Sequence, residues 1–180
     1  MSPYRFILIA LGSLVSCFGI TGQEYKVMQD PEGLKGIQSD SGIEKPVTIR
    51  VIYDNYPKVE GLKTGWGFSI ALEGLEKYVI FDTGADQKIF ENNFRKMGLN
   101  VKETDIVVLS HEHGDHTEGL PFIARNTKGI PVLFPYSFSD QFKKEVRASG
   151  LEPLLIKDPV RICSGLYSSG EFSGPIPEQC

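Results

Sequence analysis

The stretch from Lys77 to Ser110 confines this chain to a narrow set of folds. Val79-Ile80-Phe81 has no polar member, and DIVVL (105–109) is nearly as apolar. Short runs of this kind belong to strands covered on both faces. Between them, DQKIFENNFRKMG (86–98) changes period. Phe90, Phe94 and Met97 fall at i, i+4 and i+7, one stripe of a helix, and Gly98 offers its stop.

The alternation extends in both directions. VTIRVIYDNY (47–56) sets Val47, Ile49, Val51 and Tyr53 on one face, which predicts a half-buried strand. GFSIALEG (67–74) and KYVIFDTG (77–84) predict a hairpin turning at Leu75-Glu76. LPFIARN (120–126) reads as a helix with Pro121 in its first turn, where proline is tolerated. PVLFPY (131–136) reads as a strand. Residues 139–148 read as a helix with Ser139 or Asp140 at its N-cap and Gly150 at its stop. Short strands follow at 153–157 and 160–167. Strands alternate with helices and no repeat is present, so the fold class is α/β.

At 180 residues the chain suffices for one domain with a real core. A net charge of −4 supplies no basic field, so nucleic acid is not among the expected partners. The first residues differ from the rest. MSPYR carries a single positive charge, at Arg5, and FILIALGSLVSCFGI follows without any charge. Fifteen residues are too few for a comfortable membrane span and suit the apolar centre of an export signal. We therefore expect residues 1–22 to be a signal peptide and the protein to be exported, to the periplasm or cell surface. Leu14-Val15-Ser16-Cys17 looks like a lipoprotein processing site, with Cys17 the lipidated residue; the alternative is ordinary cleavage near Gly19 or Gly22. A lipid on Cys17 is the only membrane attachment expected. Residues 23–46, polar and rich in Gly, Asp and Lys, read as a linker to a domain over 47–180. Cys163 and Cys180 either pair after export or stay free thiols.

The chemistry is concentrated in LSHEHGDHTEG (109–119). All three histidines of the chain lie there, at 111, 113 and 116, with Asp115 among them. His111 and His113 are two apart at the end of a strand, so they point to one side. Gly114 lets the backbone turn, and Asp115 and His116 reach back towards the same point. Imidazoles with a carboxylate suit Zn²⁺, with Fe or Mn as alternatives. Trp66, the one tryptophan, lies near such a loop and either lines a pocket or packs against the hairpin.

H-x-H-x-D-H after a strand, preceded by a strand ending in FDTG, resembles the metallo-β-lactamase superfamily. YDNYP (53–57), GWGFSI (65–70), LSHEHGDHTEGL (109–120) and YSSGEFSGPIPEQ (167–179) are similar to its branch containing a synthase of the tetrahydromethanopterin pathway. The resemblance implies a four-layer αββα sandwich, of which this chain carries the N-terminal half. It implies that His111 and His113 bind one metal, and Asp115 and His116 a second. A metal-activated hydroxide, oriented by Asp115, would attack an ester, phosphoester or amide-like bond of a small molecule. Asp82 would sit beneath the site and hold a ligand histidine; the other reading of Asp82 is a turn residue before Gly84. The family adds ligands from its second half, and this chain has no histidine after His116. The expectation is therefore a truncated hydrolase, weak or inactive as this chain. The alternatives are an enzyme completed by dimerisation, and a non-catalytic exported lipoprotein that binds metal.

Overall fold

The computed structural model of the protein describes residues 15–18, 24–28, 46–56 and 58–172. In chain order the strands are β1 (Val15–Phe18), β2 (Glu24–Met28), β3 (Thr48–Tyr53), β4 (Ser69–Glu73), β5 (Val79–Phe81), β6 (Ile106–Val108), β7 (Pro131–Pro135), β8 (Glu152–Ile156), β9 (Val160–Cys163) and β10 (Leu166–Ser168). The helices are α1 (Gln87–Lys96), α2 (Gly114–Thr117), α3 (Leu120–Asn126) and α4 (Asp140–Ala148). Eight strands form one sheet in the order β1-β2-β8-β7-β6-β5-β4-β3. Strands β2, β8, β7, β6 and β5 run parallel, and antiparallel pairs flank them at both ends. The mixed α/β class read from the sequence is the observed one.

Alternation along the central strands builds two apolar layers. Ile80, Val107, Val132, Phe134 and Leu155 face the helices. There Phe90, Phe94 and Phe122 meet edge to face, with ring centroids 5.6–5.8 Å apart. Phe134, Phe138 and Phe142 make a second aromatic knot, 4.9–5.5 Å apart, under α4. Val79, Ile106, Val108, Leu133 and Ile156 face the other way, where Val160, Ile162 and Leu166 of the β9–β10 hairpin cover them.

The predicted helix ends hold. Asp86 caps α1 by accepting from the amides of Lys88 and Ile89, and Gly98 follows with φ 69°. Ser139 caps α4 by accepting from the amide of Phe142. Pro121 sits in the first turn of α3. Three expectations change. The linker expected over 23–46 is interrupted by β2, whose Tyr25 and Val27 are buried against the sheet; polar neighbours hid this short alternation. The strand expected over 105–111 spans only 106–108; Leu109 still donates to Leu133 O, and the residues beyond it leave the sheet to form the ligand loop. The face of β3 expected to be half buried is instead open: Ile49 is 63% exposed and Val51 45%. The pairing with β4 shifts between Val51 and Tyr53, and this irregularity turns both Ile52 and Tyr53 inward. Of the expected export signal, β1 is described and pairs with β2; the rest of it and Cys180 lie outside the described residues.

Candidate metal centre

The site lies where β5 and β6 end side by side. Asp82 follows β5 directly and takes a left-handed backbone, φ 54°, which aspartate tolerates better than most residues. Its amide donates to Val108 O at 2.8 Å, continuing the sheet by one bond. Its side chain is 1% exposed and fully engaged. Oδ1 accepts from the Ser110 amide at 2.8 Å, and Oδ2 accepts from Ser110 Oγ at 2.7 Å. Oδ2 also lies 2.7 Å from His116 Nδ1. The Asp82 side chain thus contacts His116 and Ser110 while its backbone ends the strand.

These bonds settle which ring nitrogens face the centre. Asp82 is acceptor-only when ionised, so His116 carries its proton on Nδ1 and turns a lone pair on Nε2 outward. Ser110 Oγ spends its hydrogen on Asp82 and lies 2.9 Å from His111 Nδ1. With Ser110 Oγ accepting from Nδ1–H, His111 carries a lone pair on Nε2. His111 Nε2 lies 3.2 Å from His113 Nδ1. Ligand nitrogens about 2.0–2.1 Å from a tetrahedral zinc stand about 3.3 Å apart, so this pair has the spacing of one edge of such a site. His111, His113 and Asp115 each offer a ligand atom, and these atoms lie within 4.8 Å of one another. Asp115 Oδ2 is also 3.4 Å from His116 Nε2. The carboxylate therefore stands between the first two histidines and the third. The donor set fits a divalent cation.

The loop is held by backbone on every side. The Thr83 amide donates to His116 O at 2.7 Å, and Glu118 N donates to Gly84 O at 3.1 Å. Phe68 N donates to Asp115 O at 3.3 Å. Two glycines allow this proximity. A Cβ on Gly67 would lie 2.2 Å from Asp115 O, and one on Gly119 would lie 2.2 Å from Thr83 O. Gly114, expected to free a sharp turn, has no positive φ and simply opens α2. Trp66, beside Gly67, stands 74% exposed and does not pack on the hairpin. Sequence reasoning passed over Ser110 and Thr83; their one visible signal was adjacency to the ligand loop and to FDTG.

The fold and this loop define a mixed α/β protein with a histidine–aspartate cluster at the strand ends that could hold a metal ion. A family model for the beta-lactamase superfamily domain matches residues 77–162. The chain is 29% identical over 148 residues to the 7,8-dihydropterin-6-methyl-4-(beta-D-ribofuranosyl)-aminobenzene-5'-phosphate synthase of Methanocaldococcus jannaschii, a match covering 71% of this chain and 50% of that protein. Among solved structures, the metal-dependent hydrolase of the beta-lactamase superfamily Tm1679 superposes with a TM-score of 0.53 at 23% identity, covering 68% of this chain and 47% of that one. The metallo-beta-lactamase fold protein YhfI of Bacillus subtilis superposes with a TM-score of 0.56 at 15% identity, covering 75% and 56%. Residues 77–162 thus resemble the beta-lactamase superfamily domain, the chain shares the fold of metallo-beta-lactamase fold proteins, and its sequence is similar to the branch of that synthase. It spans about half the length of the curated relatives it matches.

Proposed function

We propose that this chain holds a divalent cation, zinc by its donor set, at a hydrolase site for a small-molecule ester or phosphoester. The observation that carries the reading is the 3.2 Å spacing of His111 Nε2 and His113 Nδ1, with Asp115 in the same cluster. His111, His113 and Asp115 are the ligands for one cation; Asp115 and His116 offer a second point. The cation supplies Lewis acidity that lowers the pKa of a water at the site. The chain's own groups do the rest. Asp82 and Ser110 fix the rings of His111 and His116, and the Asp115 carboxylate accepts a hydrogen bond from the attacking water and orients it. Two cations would share only four ligand groups, since the chain has three histidines. A catalytic zinc ordinarily keeps three protein ligands, so turnover by this chain alone is expected to be weak.

The same ligand count favours a second reading, metal binding without turnover. In both readings the protein is exported, supported by the uncharged run at 6–20, and either Cys17 carries a lipid or the signal is cleaved near Gly19 or Gly22. The test is metal analysis of the purified chain, with hydrolysis of a generic phosphodiester and ester. Uptake near one equivalent with slow, metal-dependent hydrolysis is expected. Uptake without hydrolysis selects the second reading. His113→Ala should abolish uptake, and unchanged uptake would sink the site.

A further inference from the structure

Glu112 lies between two ligand histidines, and the ligand chemistry makes no use of it. Its side chain meets the start of α4. Its two carboxylate oxygens accept from the amide and from the hydroxyl of Ser139, the N-cap residue of α4. Ser139 Oγ in turn accepts from the Phe142 amide at 3.1 Å. Phe142 is anchored in the aromatic knot with Phe134 and Phe138. A carboxylate at a helix N-terminus is further favoured by the helix dipole. An unbroken path therefore runs from the packed base of α4 to the peptide joining the two histidines. Asp82 and Ser110 hold the loop from inside the sheet; Glu112 holds it from outside.

We propose that Glu112 is a positioning residue for the metal centre. Its clasp on Ser139 fixes the 111–113 backbone so that His111 Nε2 and His113 Nδ1 keep their spacing before a cation arrives. The proposal rests on the reading of His111 and His113 as ligands. It assigns Glu112 no contact with cation or substrate.

The experiment uses cobalt(II) as a spectroscopic probe on the full chain. Glu112→Gln and Ser139→Ala should each weaken cobalt binding about tenfold, the lower end of what lost ligand support costs. Each should also shift the visible ligand-field bands. The double variant should lose no more than either single, because both remove one interaction. Glu112→Asp, which keeps the carboxylate, should recover part of the affinity. Lys144→Gly weakens α4 elsewhere and should lower thermal stability while leaving affinity and bands unchanged. If Lys144→Gly shifts affinity as much as Glu112→Gln, the clasp is merely structural and the proposal is overturned. Cobalt uptake by the unsubstituted chain with wild-type affinity and bands in Glu112→Gln overturns the clasp alone. No uptake by the unsubstituted chain overturns the metal centre and the clasp with it.

Discussion

The two faces of the sheet are equally apolar and unequally covered. On one, α1, α3 and α4 seal Ile80, Val107, Val132 and Phe134 to nothing measurable in exposure. On the other, a single hairpin covers Val79, Val108, Leu133 and Ile156, and the stripe continues outward through Ile70 and Leu72 to Val51 and Ile49, which solvent reaches. The difference follows from connectivity. A helix that links two parallel strands returns across the sheet it came from, so the helical face is closed by nearby sequence. The opposite face has to be closed by something that arrives from elsewhere. Among the described residues only β9 and β10 do so.

The contrast can be broken by substitution. The largest effect belongs to the sealed face: Phe122→Ala removes the centre of the aromatic trio and should cost about 3–5 kcal/mol of unfolding free energy in urea. A loss below about 1 kcal/mol would mean that the helical face is no better packed than the open one. Next comes the rim where the faces meet. Asp82→Ala strands Ser110 and His116 and places alanine at a positive φ, so a loss of about 1–3 kcal/mol is expected by thermal denaturation. Asp82→Asn, which tolerates that backbone, should lose less.

A smaller, pH-dependent effect probes the edge of the helical layer. The Tyr78 hydroxyl is buried without a hydrogen-bond partner, and burial, then the charge of Glu73, pushes its pKa up to about 12 from 10.0. The folded chain keeps this proton where the unfolded chain releases it. Its contribution to stability is therefore present below the unfolded value and is lost as pH rises through the folded one. Tyr78→Phe should flatten the decline in unfolding free energy over that window; an unchanged slope would place the cause elsewhere. The smallest effect belongs to the open face. Ile49→Ser should alter unfolding free energy by no more than about 0.5 kcal/mol, while raising solubility. A large destabilisation would show that this stripe is covered in solution after all.

Most elements were legible from period and caps. Phe90, Phe94 and Met97 announced α1; Asp86, Ser139, Gly98 and Gly150 marked helix ends; Val79-Ile80-Phe81 announced a doubly covered strand. What escaped were facts that a period does not carry. Alternation states that Ile49 and Val51 share a face, and nothing about whether a partner layer lies over it. The irregularity at Val51/Tyr53 has no composition of its own. Strand β2 is too short, and too surrounded by Lys, Glu and Asp, to stand out from a linker. At the site, the four metal-binding candidates were visible in one motif. The groups bonded around them were not, because Ser110, Thr83 and Glu112 meet their partners across 27–33 positions. The gathering of Asp115 with His111 and His113, as well as with His116, likewise depends on how α2 starts.

Asp82 has a consequence outside chemistry. It is at once the last rung between β5 and β6 and the support of His116, while Ser110, one residue from His111, is its partner. A slip of β5 against β6 by a single residue would turn the Asp82 carboxylate to the wrong face and scatter the histidines. In the proposed reading, cation uptake would therefore report strand registry, because a misaligned chain cannot assemble the donors: the centre would inspect folding, passed only by molecules whose two middle strands have paired correctly.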